Sequence, residues 1–179
     1  QGPANAWCLD GGRTIGWELH DQLNDVAVAP QAVFVQVGGG ALATSLALGL
    51  GDDVPLVVVQ AEGCAPLHRA LQAASGVDAP ELHWAELMQP WESPHSLADG
   101  ILDDETYDWI SIGRAIERSS GRSVVAAESE IVHAHELVNT SGPPTSATGT
   151  AGVAGALGES AAGTLDDRPI VVLLSGAAR

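Results

Sequence analysis

Three consecutive glycines, residues 38–40, follow an apolar run and precede a run of helix-forming residues. Residues 32–37 have the continuous hydrophobic character of a strand in a parallel sheet, and residues 41–50 are rich in alanine and leucine. A strand that ends at glycines leaves backbone N–H groups without side-chain cover, and the first turn of a helix adds N–H groups that lack intrahelical acceptors. The sequence therefore predicts a phosphate-binding site at residues 38–42.

The glycine run alone leaves two interpretations open. Gly38, Gly40 and Ala43 fit the G-x-G-x-x-A pattern of a dinucleotide-binding fold. Glu62 follows the next apolar run, where an acid that binds a ribose would lie. This pattern gives an NAD(P)-binding oxidoreductase domain as one hypothesis. The other interpretation is a tight turn between a strand and a helix that binds no ligand.

The bulk composition argues against several classes of partner. The chain has 179 residues, enough for one domain with a sizeable core, and a net charge of −16. So acidic a chain is a poor match for nucleic acid or an anionic membrane surface, and no apolar run is long enough to span a bilayer. All seven basic residues are arginine, so the chain contains no lysine. Cys8 and Cys64 are too few for a disulfide framework, which favours a reducing cytoplasm.

Apolar runs alternate with helical patterns along the chain. Strands are predicted at residues 32–37, 55–61, 123–127 and 170–174. Helices are predicted at residues 14–23, 41–50, 66–74, 107–119, 128–138 and 147–157. A long surface excursion is expected at residues 76–100 and a turn-rich loop at residues 139–144. This alternation predicts an α/β fold, a three-layer sandwich with a mostly parallel sheet.

Several segments, taken in their order along the chain, carry a resemblance to a known family. They are D-G-G-R-T-I-G-W-E at 10–18, V-Q-V-G-G-G-A-L at 35–42, V-V-V-Q-A-E at 57–62, A-D-G-I at 98–101 and V-V-L-L-S-G at 171–176. Together they resemble the fold-type II pyridoxal-phosphate enzymes. This tryptophan synthase β-like family includes threonine and serine dehydratases, serine racemase and threonine synthase. The resemblance runs nearly from end to end, so residues 1–179 are expected to be part of that family's cofactor-binding large domain.

The resemblance implies roles for individual residues around pyridoxal 5'-phosphate. Backbone N–H groups of the glycine loop would bind the cofactor phosphate, and a hydroxyl near the end of the chain would hydrogen-bond the pyridine nitrogen. The residues concerned are Gly38, Gly39, Gly40, Ala41 and Leu42 for the phosphate, and Ser175 with its neighbour Gly176 for the ring. Ala41 stands where the family usually has a fourth glycine. A hydroxyl does not hold a proton on the ring as a carboxylate would, which favours elimination and replacement at the β carbon.

The resemblance bears on Glu62 as well. In some dehydratase-like members a glutamate at this position helps to bind a divalent cation together with a second acid a few residues later. Residues 65–68 supply no such acid, so no metal is expected, Glu62 being a weak candidate at most. Glu62 is interpreted instead as a cap of the next helix.

The family's Schiff-base lysine and its loop for the substrate carboxylate precede the segments matched here. We therefore expect residues 1–179 to be the C-terminal part of the large domain of a longer enzyme, inactive alone and completed by its N-terminal part. The complete protein is predicted to be a homodimeric lyase or synthase that acts on a hydroxy or phosphohydroxy amino acid by β-elimination or replacement. Dehydratase-like and threonine synthase-like activities both stay open. Beside the oxidoreductase, a non-catalytic domain of the same fold also stays open, because the lysine is missing.

Overall fold

Four parallel strands form the centre of the protein. The computed structural model describes residues 6–176. The strands are β1 (Val33–Gln36), β2 (Leu56–Ala61), β3 (Arg122–Ala126) and β4 (Val171–Val172). Their order in the sheet is β3-β2-β1-β4, and each neighbouring pair is parallel. All residues of β1 and β2 are buried, as their continuous apolar character predicts.

Helices cover both faces of this sheet. They are α1 (Ala6–Gly12), α2 (Thr14–Asp25), α3 (Ala41–Leu50), α4 (Pro66–Ala73), α5 (Trp84–Leu87), α6 (Trp109–Ser119), α7 (Glu128–Ser141) and α8 (Ala147–Ala161), with short 3-10 turns at Pro80–His83 and Asp99–Ile101. On one face, Val33 of β1 belongs to a buried cluster with Leu46 of α3 and Ile112 of α6. On the other face, Phe34 belongs to a cluster with Ala151 of α8. The predicted three-layer α/β sandwich is confirmed.

Small residues let α8 lie directly against the sheet. A Cβ atom added at Gly152 would lie 3.1 Å from Cγ1 of Val172 and 3.2 Å from Oε1 of Gln36. One added at Gly155 would crowd the side chain of Val59. Close packing of this helix on the ends of β1 and β4 brings Gln36 and the segment after β4 together.

Several element boundaries differ from those predicted. Helix α7 continues to Ser141, so part of the predicted loop at residues 139–144 is helical. Asn139 ties the end of this helix to the next segment, because its Oδ1 accepts from the Thr145 N–H at 3.0 Å. Strand β4 has two residues instead of five. Helix α1 carries no apolar period that would have predicted it.

Among residues 6–176, no helix has the length and apolar character required to cross a membrane. Both cysteines are free thiols, Cys8 on the surface and Cys64 in the interior.

Candidate functional site

A cavity of about 210 Å³ opens at the carboxyl end of β1. Its lining comes from four parts of the chain. The first is the glycine loop with the start of α3, and the second is the segment around Ile101, Asp103 and Tyr107. The third is Thr148 of α8, and the fourth is Ser175 beyond β4. The carboxyl ends of strands in an open parallel sheet are where such folds bind ligands.

The loop's backbone orientation is set by hydrogen bonds on the side away from the cavity. The carbonyls of residues 37–39 accept from Gln60 Nε2 at 3.3 Å, from Thr106 Oγ1 at 2.9 Å and from the N–H of Asp108 at 3.2 Å, respectively. In a trans peptide the carbonyl and the following N–H point in opposite directions. The N–H groups of residues 38–40 therefore point away from these three partners, to the side where the cavity lies.

Six successive N–H groups, those of residues 38–43, have no acceptor within the part of the chain that the structure describes. The last three belong to the first turn of α3, whose dipole adds positive potential at this point. Gly40 has φ = +104°, a conformation that other residues rarely adopt. Together these N–H groups form a concave donor surface that suits an anion with several oxygens.

Ser175 lies in the lining of the same cavity, and its N–H donates to the Gly149 carbonyl at 3.4 Å. The buried side chain of Gln36, at the end of β1, donates through Nε2 to Ser175 Oγ. Gly176 lies beside the cavity, and its carbonyl accepts from the N–H of Ser146, the residue that caps α8. The structure thus brings together six of the seven predicted contact residues, with Gly176 anchoring the segment that holds Ser175.

Eight residues of the cavity lining were not among the predicted contacts, and four of them have polar side chains, namely Gln36, Asp103, Tyr107 and Thr148. Asp103 Oδ2 lies so close to the Cα of Gly38 that it leaves no room for a Cβ there, and the Tyr107 ring would lie 3.2 Å from a Cβ at Gly39. Residues 103–107 show no periodic pattern that would have revealed them. Gln36 did carry a signal, because it is a polar residue inside a strand buried on both faces.

Glu62 takes no part in this cavity. Its side chain is a helix cap, as interpreted, but of α7 instead of the next helix in the chain: Oε1 accepts from the N–H of Glu128 at 2.8 Å. No group of three histidine, cysteine, aspartate or glutamate side chains within residues 6–176 is arranged to hold a metal ion.

Two buried ionisable groups lie behind the glycine loop. Burial raises the pKa of the Asp108 carboxyl, and neither of its oxygens has a hydrogen-bond partner within residues 6–176. Burial, followed by the charges of Asp103 and Asp104, raises the pKa of the Cys64 thiol to about 11. The Cys64 Sγ donates to the Asp103 carbonyl at 3.3 Å. At neutral pH this thiol is protonated, so it is a structural group and not a nucleophile.

Comparison with protein families gives one match that spans almost the whole chain. A family described as "Pyridoxal-phosphate dependent enzyme" matches residues 2–176. Threonine synthase from Methanosarcina acetivorans is 28% identical over 162 residues, which are 83% of this chain and 37% of that protein.

Solved structures of other proteins share this arrangement of strands and helices, among them a threonine deaminase and a serine racemase. Threonine deaminase from T.th. superimposes with a TM-score of 0.77 at 25% identity, covering 96% of this chain and 58% of that one. Maize serine racemase superimposes with a TM-score of 0.76 at 17% identity, covering 96% and 49%, and therefore supports the fold alone. The chain spans only about 37% to 58% of the length of the threonine synthase and the threonine deaminase.

Proposed function

The chain belongs to the family of pyridoxal-phosphate-dependent enzymes, and on this premise we propose that its cavity holds the phosphate and ring ends of that cofactor. The N–H groups of residues 38–42 bind the phosphate, and Ser175 hydrogen-bonds the pyridine nitrogen. The observation that carries the proposal is the series of three anchored carbonyls at residues 37–39, which turns successive N–H groups toward the cavity.

The hydrogen-bond donors of the cavity fit the phosphate and the ring of the cofactor. A phosphate has only acceptors at its oxygens, and six N–H groups without internal acceptors face the place where it would lie. A Cβ at Gly40 would lie 2.9 Å from Cβ of Asp108 and 2.9 Å from Cδ1 of Ile112, so the loop keeps its path only with glycine there. Ser175 lines the same cavity, which supports the proposal that its hydroxyl bonds the ring nitrogen.

The reaction we propose for the complete protein is β-elimination or replacement on a hydroxy or phosphohydroxy amino acid. The cofactor, when bound, supplies the electron sink for cleavage at the α and β carbons. This chain supplies the phosphate anchor and a neutral hydrogen-bond partner for the ring. No lysine occurs in the 179 residues, so we assign the Schiff-base lysine to another part of the protein. The relatives named threonine synthase and threonine deaminase support this substrate class.

A nicotinamide-binding alternative has less support. It needs an acidic side chain after β2 for the ribose, and Glu62 uses its carboxylate to cap α7. We also propose a homodimer in the cytoplasm. The free thiols of Cys8 and Cys64 support a reducing compartment, and light scattering of the complete protein checks the dimer.

Titration of the complete protein with pyridoxal phosphate tests the proposed site. We expect a visible absorption band that borohydride abolishes, and a weaker affinity in Ser175→Ala. Ser160→Ala, which removes an exposed hydroxyl on α8, is the matched control and should bind the cofactor normally. Tight binding of NADH with no binding of pyridoxal phosphate would overturn the proposal.

A further inference from the structure

Gln36 is an unusual residue for its place in the sheet. It ends β1, is only 3% exposed, and shares a sheet face with Phe34 against the small residues of α8. Its Nε2 donates to Ser175 Oγ, while its Oε1 has no hydrogen-bond partner within residues 6–176. A buried amide that makes one of the four hydrogen bonds open to it costs stability compared with an apolar side chain of the same shape. The hydrogen bond to Ser175 is therefore the reason we consider for a glutamine at this position.

That bond determines which way the Ser175 hydroxyl proton can point. An amide nitrogen only donates, so Ser175 Oγ is the acceptor and its own proton must be directed elsewhere. Within the described residues the Ser175 hydroxyl donates to no acceptor, and Ser175 lines the cavity. The observed amide orientation leaves the carbonyl oxygen and one N–H of Gln36 without partners in the described residues. The opposite orientation would leave both N–H groups without acceptors, which costs more because a buried unpaired N–H is less tolerated than an unpaired carbonyl oxygen.

We propose that Gln36 is a positioning residue that makes the Ser175 hydroxyl a hydrogen-bond donor toward the cavity. A group that receives this proton must offer a lone pair, so the site selects a ring whose nitrogen is unprotonated. The inference rests on the proposed function, and it adds a residue that acts through Ser175. Gln36 thereby helps to keep the cofactor in the electronic state suited to elimination and replacement.

The test uses the complete protein loaded with cofactor labelled with ¹⁵N in the ring. The ¹⁵N chemical shift distinguishes a neutral pyridine nitrogen from a protonated one, and it does not depend on activity. Gln36→Met keeps the shape of the side chain but removes the donor. Gln36→Glu adds a titratable group that donates to Ser175 when protonated and accepts from it when ionised.

In the wild type we expect a neutral, hydrogen-bonded ring nitrogen at every pH tested. In Gln36→Glu, raising the pH through the pKa of the new carboxyl group should lower the cofactor affinity about tenfold. Over the same pH range, the ¹⁵N chemical shift of the ring should move toward the value of a protonated nitrogen. Gln36→Met should weaken binding by roughly threefold to tenfold while Ser175 is present, and not measurably in a Ser175→Ala background. A structural role alone would give equal losses in both backgrounds.

The results distinguish a failure of the role proposed for Gln36 from a failure of the proposed function. If the wild type binds no pyridoxal phosphate, the proposed function fails. If the wild type binds it, Ser175→Ala changes the ring shift and both Gln36 variants match the wild type, only the role of Gln36 is refuted. Thermal unfolding followed by circular dichroism verifies that Gln36→Met is folded, as expected for an apolar side chain beside Phe34 and α8.

Discussion

Substituting Gly40 by alanine tests directly whether the hydrogen-bonded carbonyls hold the glycine loop in place. The substitution places a methyl group 2.9 Å from both Cβ of Asp108 and Cδ1 of Ile112, and 3.2 Å from Cγ2 of Thr106. These atoms belong to the start of α6 and the residues before it, which hold the loop carbonyls in place. The methyl group must therefore push the loop away from the partners that orient its N–H groups.

Two costs add in Gly40→Ala. Alanine at φ = +104° costs about 1–2 kcal/mol of backbone strain, and overpacking against α6 adds about 1–3 kcal/mol. We expect the free energy of unfolding to fall by about 2–5 kcal/mol. Loss of one or two N–H bonds to phosphate should weaken cofactor binding by roughly 10- to 100-fold.

Gly76→Ala is the matched control. Gly76 also has positive φ, at +78°, but a Cβ there meets no atom within 4 Å. We expect a loss of only about 1–2 kcal/mol, with unchanged cofactor affinity. Urea unfolding followed by circular dichroism gives the stabilities, and tryptophan fluorescence gives the cofactor affinity. Equal destabilisation by the two variants, or normal affinity in Gly40→Ala, would refute the account of the anchored loop.

Two further predictions follow from the buried ionisable groups. Because burial raises the Asp108 pKa above the ordinary 3.8, its charged form destabilises the fold above the raised pKa, and this cost disappears below pH 3.8. Asp108→Asn should raise the free energy of unfolding by about 1–3 kcal/mol at pH 8 but not at pH 3, and equal urea midpoint shifts at both pH values would contradict this. Iodoacetamide at pH 8 should label exposed Cys8 quickly and buried Cys64 only after unfolding, and equal labelling rates in the folded protein would show that Cys64 is accessible.

The parts of the fold that sequence predicts well are those with a strong local pattern. The valine-rich apolar runs of β1 and β2 are typical of strands buried in a parallel sheet, and both strands lie where predicted. Helix α3 has the predicted bounds, Ala41–Leu50, because glycines stand on both sides of an alanine- and leucine-rich run. Helix α1 and the two-residue β4 depend on packing with distant segments, so their bounds could not be predicted from the local sequence.

The site divides in the same way. The place of residues 38–42 in the cavity lining was predictable, because glycines between an apolar strand and a helix form a local sequence pattern. The groups that orient them, Gln60, Thr106 and Asp108, come from segments with no sequence signal for that role. The bond between Gln36 and Ser175 is likewise invisible before folding, because it needs β4 to pair with β1.

That pairing has a consequence for the order in which the site is assembled. Gln36 and Ser175 are 139 residues apart in the chain, whereas the glycine loop and the first turn of α3 are contiguous. Closing a long loop carries an entropic penalty that must be met before the contact contributes any stability. The glycine loop also needs β2 and the residues before α6, because Gln60, Thr106 and Asp108 orient its N–H groups. The Ser175 hydroxyl joins this part of the cavity only when the last strand docks. A ligand that contacts both the glycine loop and Ser175 can therefore stabilise only a chain whose folding is nearly complete.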